Sequence, residues 1–286
     1  MEECIQPSNF HSHCNFCDGQ SQAEDYVRAA LAQHFRAYGF SSHSPLPFET
    51  SWNMSADRMP EYILEINRLK EKYSGLMEIY LGLEVDYLDE TCNASMPCYQ
   101  SLPLDYRIGS LHFLPWQLPL TEANMTAIDG PFDRFAEFVK ERYGGDIRRI
   151  TKHYFEISMQ MVEAGGFDIV GHADKIGMNG CLYPGFDPSA DWYRKPFEEY
   201  VRLIAEKGYI MEVNTKNFRR KGQTYPSPGS LKLLHKHRIP IMVNSDCHVP
   251  ALVNDGRNEI LALLRETGFR TTRELAGGTW QDMPIS

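Results

Sequence analysis

Short β-rich segments alternate with longer helical segments along most of the chain, and this alternation limits the possible folds more than any other feature. Each β-rich segment ends in a polar or histidine-containing turn before the next helix begins. This rhythm is typical of repeated βα units around a parallel sheet. Seven strands are predicted, at residues 9–13, 39–43, 79–83, 107–113, 167–172, 209–214 and 239–245.

The segments between these strands predict helices and two long loops. Ser21 and Glu24 match a capping box, which predicts a helix running toward Ala37. Two segments, 44–56 and 89–105, are rich in Ser, Pro, Asn and Cys and lack periodicity, so we expect loops over a site. The other helices are predicted at residues 57–73, 132–143, 147–164, 196–207, 230–237 and 257–267.

Composition and charge narrow the class of protein. Of the 286 residues, 42% are hydrophobic and 23% charged, as in soluble globular proteins. Neither a fixed-period repeat nor a Pro/Gly-rich linker divides the chain, so residues 1–286 are predicted to form a single domain. The 29 Lys and Arg against 38 Asp and Glu leave a net charge of −9, which disfavours nucleic acid as a partner.

The expected location follows from what the sequence lacks. No apolar run reaches the ~18 residues that span a bilayer, and the acidic start of the chain has no apolar signal core. We therefore expect a cytoplasmic protein with no membrane partner. With seven cysteines and no secretion signal, reduced thiols are expected rather than a disulfide framework.

Histidines are concentrated at the carboxyl ends of the predicted strands. Side chains two residues apart on a strand point to the same side, so His11 and His13 can converge on one ion, as can Asp246 and His248. In a closed βα barrel all these strand ends share one face. Six of the ten histidines occupy such positions: His11, His13, His43, His112, His172 and His248.

These residue types favour a metal centre. Imidazole nitrogens suit zinc, iron and manganese, and Asp18, Glu84 and Asp246 add carboxylate oxygens that can bridge two ions. A single strand-end histidine is more often structural, but six together favour ligation. The remaining four histidines, His34, His153, His235 and His237, are interpreted as structural residues of predicted helices.

Other functions lack their own signatures. Cys14 and Cys17 form a CxxC pair after a strand, as in thioredoxin-like proteins, but that hypothesis leaves the histidines unexplained. Cys92 and Cys98 are too widely spaced for a zinc ribbon. The chain contains no GxSxG elbow, P-loop or GxGxxG motif. A non-catalytic metal-binding module remains open.

The order of the histidine motifs resembles that of the PHP (polymerase and histidinol phosphatase) superfamily, and specifically its histidinol-phosphate phosphatase branch. The resemblance covers nearly the whole chain. Cys14 departs from the usual Ser or Thr, and Ser42 from the usual Asp. The matching segments are His11-Ser12-His13, Cys17-Asp18-Gly19, Ser42-His43-Ser44-Pro45, Glu84, 109–113, 168–174 and 245–248, with 212–215 and 225–227 typical of the branch.

This resemblance implies a distorted seven-stranded (β/α)7 TIM-like barrel, with three divalent ions of zinc, iron or manganese at the carboxyl ends of its strands. Three ions, three carboxylates and one hydroxide sum to +2, which suits a phosphate dianion, whereas two ions would leave no net charge. The implied ligands are His11, His13, Glu84 and Asp246 for the first ion, Glu84, His112 and His172 for the second, and Asp18, His43 and His248 for the third.

The implied activity is hydrolysis of L-histidinol phosphate to L-histidinol and phosphate, in histidine biosynthesis, by a hydroxide that bridges two ions. Asp246 and His248 are the catalytic candidates, with Arg219 both catalytic and phosphate-binding and Lys175 as a second phosphate-binding candidate. Phosphotyrosine, a sugar phosphate or a nucleic-acid end are alternative monoesters, and the net charge disfavours the last. Three loop aromatics could contact the substrate: Phe48, Trp52 and Tyr99.

Overall fold

A computed structural model describes residues 6–121 and 124–285. The strands in chain order are β1 Ser8–Asn9, β2 Ala37–Phe40, β3 Glu78–Asp86, β4 Tyr106–Ser110, β5 Phe113–Pro115, β6 Met125–Ala127, β7 Ile169–Val170, β8 Ile210–Asn214, β9 Ile241–Asn244, β10 Thr271–Ala276 and β11 Thr279–Pro284. The helices are α1 Ala23–Ala32, α2 Met59–Lys72, α3 Pro97–Gln100, α4 Phe132–Tyr143, α5 Ile147–Ala164, α6 Gly177–Gly180, α7 Asp191–Lys207, α8 Phe218–Lys221, α9 Leu231–Lys236 and α10 Arg257–Thr267.

Seven of the strands form a parallel sheet that closes nearly into a barrel, in the order β1-β2-β3-β4-β7-β8-β9. The two edge strands approach each other beyond their ends, where the backbone N–H of His13 donates to the carbonyl oxygen of Cys247 at 3.0 Å. The backbone N–H of Phe10 also donates to Oδ1 of Asn244 at 2.8 Å. The predicted distorted (β/α)7 barrel is therefore confirmed.

A tyrosine fills the barrel interior, and glycines make room for it. Tyr106 is fully buried, and its hydroxyl donates to the carbonyl oxygens of Phe10 and Phe40 at 2.6 and 3.1 Å. A Cβ atom at Gly82 would lie 2.3 Å from the Tyr106 ring, and one at Gly39 would lie 2.4 Å from its hydroxyl. The interior is therefore packed with side chains and is not a pore.

Three helices have the predicted bounds, α4, α5 and α10. The capping-box prediction is wrong: Gln22 is the N-cap of α1 and makes no side-chain capping bond. Ser21 instead belongs to the turn after β1, where its carbonyl oxygen accepts a bond from Asn15 N–H at 2.9 Å. Helix α1 ends at Ala32, and Ala37 already begins β2.

Other differences concern short elements. Helix α7 starts at Asp191, so Pro196 lies inside the helix and does not begin it. The predicted loop 89–105 contains the one-turn helix α3. Two antiparallel hairpins, β5–β6 and β10–β11, were not predicted.

The C-terminal hairpin closes the amino end of the barrel. Leu275 of β10 and Trp280 of β11 pack against the interior cluster that contains Tyr106. Glu274 is buried and binds Arg257 at 3.0 Å and Arg36 at 2.9 Å. Among the described residues, no helix is both long and apolar enough to cross a membrane.

Candidate metal centre

The six strand-end histidines converge at the carboxyl end of the barrel, as predicted. Strands β1, β2, β4, β7 and β9 each end just before one or two of them. The ring of His13 stacks between His43 and His248, with centroids 4.1 and 4.2 Å away. His112 and His172 form a second pair with ring centroids 4.7 Å apart.

Glu84, the seventh residue of β3, lies at the centre of these histidines. Its side chain is fully buried, with Oε2 at 3.2 Å from His11 Nε2 and 2.8 Å from His43 Nδ1. Its other oxygen, Oε1, lies 2.9 Å from His172 Nε2 and 3.6 Å from His112 Nε2. One carboxylate therefore faces ligand candidates from four other strands.

The two aspartates complete the cluster. Asp246 Oδ1 lies 3.2 Å from His13 Nε2. Asp18 Oδ1 lies 3.2 Å from His248 Nε2 and 3.7 Å from His43 Nε2. All nine predicted ligand residues are thus brought together. In three groups every ligand atom lies within 4.8 Å of the others: His13, Asp18, His43 and His248; His11, His13 and Asp246; His43, Glu84 and His112.

The donor atoms fit metal ions better than a hydrogen-bond network. Buried His11 Nε2, His13 Nε2, His43 Nδ1, Glu84 Oε2 and Asp18 Oδ1 have no hydrogen-bond partner, although other ligand atoms lie close by. A tetrahedral zinc ion with bonds of about 2.0–2.1 Å holds neighbouring ligand atoms about 3.3 Å apart. The observed separations of 3.2 Å for the His11–Glu84 and His13–Asp246 atom pairs match that spacing.

A second carboxylate, Glu212 of β8, holds the ligands from behind. Its Oε1 accepts from His11 Nδ1 at 2.7 Å and Asn244 Nδ2 at 2.9 Å. Its Oε2 accepts from the His172 backbone N–H and from Asn214 Nδ2, both at 3.0 Å. A proton on His11 Nδ1 leaves Nε2 free to bind an ion, the usual role of a carboxylate behind a ligating histidine.

Sequence reasoning placed Glu212 only in a branch-specific segment and missed this role. The alternation of β8 was the available signal, because Glu212 and Asn214 must share one side of the strand. Asp86 was missed in the same way. It follows Glu84 by two residues on β3, and its Oδ1 binds His112 Nδ1 at 2.9 Å.

Opposite charges in the cluster shift the pKa values of their neighbours toward the ionised forms. Burial alone would raise the pKa of Glu84, but the charges of His11 and His43 outweigh it and hold that pKa well below its ordinary value. Burial likewise would lower the pKa of His11, whereas Glu212 and Glu84 raise it well above its ordinary value. The carboxylates therefore stay ionised, as metal ligands must be.

Two ligand candidates have strained backbone. His172 has φ of 24° and Asp246 has φ of 48°, in the left-handed region that favours glycine. Such strain persists only where surrounding structure imposes it, and it is concentrated at functional sites. Bonds from the His172 backbone to Glu212 and from Asn214 to Asp246, both 3.0 Å, supply that constraint here.

Two lysines reach the cluster, and one of them was not predicted. Lys175 is buried, with Nζ 3.5 Å from Asp129 Oδ2. Burial would lower its pKa, but Asp129 and Asp246 raise that pKa above the ordinary value, so the ammonium stays charged. Lys216, which directly follows a branch-specific segment, places Nζ 3.1 Å from Asp246 Oδ1 and 3.3 Å from His248 Nε2.

The structure does not bring Arg219 into the cluster. Its side chain is 64% exposed, and Nε binds Asp255 Oδ1 at 2.7 Å, with Glu259 at 3.7 Å. The short helix α8 turns Arg219 toward the start of α10, whereas Lys216 precedes that helix and faces the ligands.

The cysteine pair lies behind the first histidine motif. Cys14 Sγ is 3.6 Å from Ser42 Oγ, and Cys17 Sγ is 3.5 Å from His13 Nδ1. Burial raises the pKa of Cys14 to about 11 and that of Cys17 to about 12, which disfavours thiolate chemistry near neutral pH. Within the described residues all six cysteines are free thiols.

The predicted loop 44–56 does cover the site. Trp52 lies over His43 and His112, with ring centroids 4.6 and 5.3 Å away, and stacks on Phe113. Phe48 packs on the edge of the same Phe113 ring. The third loop aromatic, Tyr99, is buried and supports this loop by donating to the carbonyl oxygen of Pro45 at 2.8 Å.

Comparison with known proteins agrees with the fold and the motif order. The PHP domain family matches residues 9–216, and the chain belongs to this family. The histidinol-phosphatase of Bacillus subtilis is 27% identical over 262 residues, which cover 85% of this chain and 94% of that protein. The "Probable histidinol-phosphatase" of Deinococcus radiodurans is 27% identical over 266 residues, 91% of this chain and 94% of that protein.

A solved structure shares the fold over nearly the whole chain. Histidinol phosphate phosphatase from Lactococcus lactis, crystallised with zinc, L-histidinol and phosphate, aligns with a TM-score of 0.76 at 21% identity. The alignment covers 96% of this chain and 99% of that one.

Proposed function

We propose that this PHP-family protein is a metal-dependent phosphatase that hydrolyses L-histidinol phosphate to L-histidinol and phosphate in histidine biosynthesis. The observation that carries the proposal is the convergence of nine candidate ligand side chains, five of which aim a buried atom without a hydrogen-bond partner into the cluster. The substrate is supported by relatives named histidinol-phosphatase that match 85% and 91% of the chain.

The site is proposed to hold three divalent ions, and zinc, iron and manganese all suit its ligands. When bound, such ions make hydroxide available near neutral pH and neutralise charge on the phosphoryl oxygens. The proposed holders are His11, His13, Glu84 and Asp246 for the first ion, Glu84, His112 and His172 for the second, and Asp18, His43 and His248 for the third.

The chain itself provides the remaining charge for a phosphate dianion. Lys175 and Lys216 follow the neighbouring strands β7 and β8, so their ammonium groups can bind phosphoryl oxygens from one side. Asp246 and His248, the catalytic candidates, both contact Lys216 Nζ and hold it beside the ligand atoms. There it can offset negative charge on the leaving oxygen.

The proposal also covers the domain organisation, the binding partner and the cellular location of the protein. Residues 1–286 are proposed to act as one PHP-type phosphoesterase domain, supported by the bonds between the C-terminal hairpin and the barrel. The partner is a small phosphate monoester and not a nucleic acid, in keeping with the net charge of −9. The cytoplasmic location predicted from the sequence suits a biosynthetic enzyme.

Phosphate release from a panel of esters tests this function. Metal-loaded protein should prefer L-histidinol phosphate over sugar phosphates, phosphotyrosine and a nucleotide, and a chelator should abolish the activity. Turnover of other esters only would keep the metal site and reject the substrate. Metal binding without any turnover would favour the non-catalytic module.

Lys175→Ala tests the phosphate-binding assignment. We expect KM to rise about 10- to 100-fold, because a hydrogen bond to a charged group is lost, while the metal content stays that of the wild type. Lys195→Ala, an exposed lysine on α7, is the matched control. An unchanged KM would remove Lys175 from the phosphate site.

A further inference from the structure

One acidic residue lies beside the cluster without belonging to any group of metal-ligand candidates. Asp129 follows β6, and its carboxylate is 25% exposed and lies 3.5 Å from Lys175 Nζ. It is also close enough to interact electrostatically with His112, His172 and Lys216. Asp129 therefore lies beside Lys175, near two of the residues proposed to hold the second ion.

The backbone around Asp129 is fixed by the site. Ile128 N–H donates to the carbonyl oxygen of His112 at 2.9 Å. Buried Asn179, on helix α6, donates to the carbonyl oxygens of Ile128 and Gly130, both at 2.9 Å. These bonds involve a metal-ligand candidate and the helix that follows Lys175, so they fix the position of the Asp129 carboxylate relative to the proposed metal and phosphate sites.

We propose that Asp129 binds the ammonium group of the substrate and makes the site selective for 2-aminoalkyl phosphates. This assignment rests on the proposed function. In L-histidinol phosphate the amino group is on the carbon next to the one that carries the phosphate ester, so nitrogen and phosphorus are separated by only four bonds. A phosphoryl group bound by Lys175 and Lys216 places the ammonium beside Asp129, and a carboxylate is a strong partner for it.

The charge pattern of the three residues matches such a substrate. The two lysines carry positive charge toward the phosphate, and the carboxylate of Asp129 beside Lys175 carries negative charge toward the ammonium. An ester without the amino group would bring its phosphate dianion near this carboxylate with no cation of its own to offset it. The pattern thus selects against such esters as well as for the amino group.

A purely structural role makes a different prediction. Asp129 could instead serve only as the counter-ion that positions Lys175. Its loss would then weaken binding of every phosphate monoester equally, because Lys175 contacts the phosphate group that all of them share. The substrate pair that separates the two roles is L-histidinol phosphate and its analogue without the amino group, 3-(imidazol-4-yl)propyl phosphate.

The test compares Asp129→Asn with Asp133→Asn, an exposed aspartate in the first turn of α4. For Asp129→Asn, kcat/KM on L-histidinol phosphate should fall about 10- to 100-fold, the loss expected for a hydrogen bond between charged groups. On the analogue kcat/KM should not fall and should change by less than about threefold, since no such bond is made there. The inhibition constant of L-histidinol should rise by the same factor by which kcat/KM on L-histidinol phosphate falls. Asp133→Asn should change none of these values.

Equal losses on both substrates, or no loss on either, would overturn the assignment while wild-type activity on L-histidinol phosphate still supports the proposed function. Wild-type protein that hydrolyses other monoesters but not L-histidinol phosphate would overturn both. Asp129→Ser gives the same comparison if the Asn variant does not fold.

Discussion

The two ends of the barrel differ in how their polar groups are satisfied. At the amino end, buried Arg257 donates to the carbonyl oxygen of Val243 at 2.8 Å and to Glu274 at 3.0 Å. At the carboxyl end, His11 Nε2 and Glu84 Oε2 lie 3.2 Å apart, both buried and both without a hydrogen bond. At the amino end, oppositely charged side chains are paired by hydrogen bonds. At the carboxyl end, the candidate metal-ligand atoms converge on the proposed ion positions.

The interactions that stabilise the fold and the groups proposed for catalysis therefore lie at opposite ends of the barrel. The hairpin, the interior tyrosine and the Arg257–Glu274 pair stabilise the amino end. The two ligand candidates with strained backbone, His172 and Asp246, are at the carboxyl end, where barrel enzymes have their active sites. Variants of the ion pairs at the amino end should therefore change the free energy of unfolding alone, and variants of the ligand candidates at the carboxyl end should change metal binding and turnover.

Glu84→Gln should give the largest effect. Glu84 lies within 3.6 Å of a ring nitrogen of five histidines, so this change removes the charge that two proposed ions share. We expect metal content to drop and kcat/KM to fall by more than about a thousandfold. Glu78→Gln, at the amino end of the same strand, is the control and should change neither. Elemental analysis and steady-state kinetics measure both, and near-normal activity in Glu84→Gln would contradict the proposed metal centre.

Arg257→Leu should act on stability alone. This change leaves buried Glu274 with Arg36 as its remaining ionic partner, and loss of the hydrogen bond between charged groups should lower the free energy of unfolding by about 1.5–3 kcal/mol. Urea unfolding measures the loss, with exposed Arg265→Leu on the same helix as control. Metal content and kcat/KM of the folded variant should match the wild type, and a drop in either would refute the separation of the two ends.

At the carboxyl end, ionisation of buried Asp174 should lower the free energy of unfolding as pH rises. Asp174→Asn should remove this pH dependence. Burial raises the pKa of Asp174 from 3.8 to about 7, although Ser227 N–H donates to it at 2.9 Å. Since the unfolded chain ionises at the ordinary pKa, this group's contribution to stability is complete below about pH 4 and is lost as pH rises to about 7. Urea unfolding should show that the free energy of unfolding of the Asn variant, relative to that of the wild type, rises by up to about 3 kcal/mol between pH 5 and pH 8. A difference that stays constant with pH would reject this.

Glu212→Gln should weaken metal binding without abolishing it. The carboxylate that orients His11 becomes a neutral amide, and loss of such a partner costs about 10- to 100-fold in metal affinity. Competition with a chromophoric chelator measures the affinity, and exposed Glu206→Gln on α7 is the control. Unchanged affinity would show that Glu212 supports the fold only.

Arg219→Ala should give the smallest effect, within about threefold in KM, because its exposed guanidinium binds Asp255 and such surface pairs contribute about 0.2–1 kcal/mol. Steady-state kinetics and metal analysis of this variant beside Lys216→Ala give the comparison. A KM increase of about tenfold or more would restore the sequence-based prediction that Arg219 binds phosphate.

The sequence predicted those parts of the site that depend on strand periodicity. Histidines such as His11 and His13 were identifiable because parallel strands bring their carboxyl ends to one face, whatever the details of the helices. Strand alternation could have placed Glu212 and Asp86 on the side of the site, but the histidine that each one binds depends on how the strands are arranged in space.

The remaining errors have local physical causes. Lys216 and Arg219 lie three residues apart after β8, and only the turn into α8 decides which one faces the ligands. The hairpin β10–β11 did have a signal, the Gly277-Gly278 turn with positive φ at both residues, between segments of strand-forming residues. Its packing against the barrel could not be predicted from that turn.

Reconstitution of metal-free protein shows whether phosphate release depends on a site filled with three ions. Zn²⁺ or Mn²⁺ is added in steps, and bound metal per chain is measured together with phosphate release from L-histidinol phosphate. We expect no activity without metal and full activity only as bound metal approaches three ions per chain. Phosphate release from metal-free protein, or filled metal sites with no release, would contradict it.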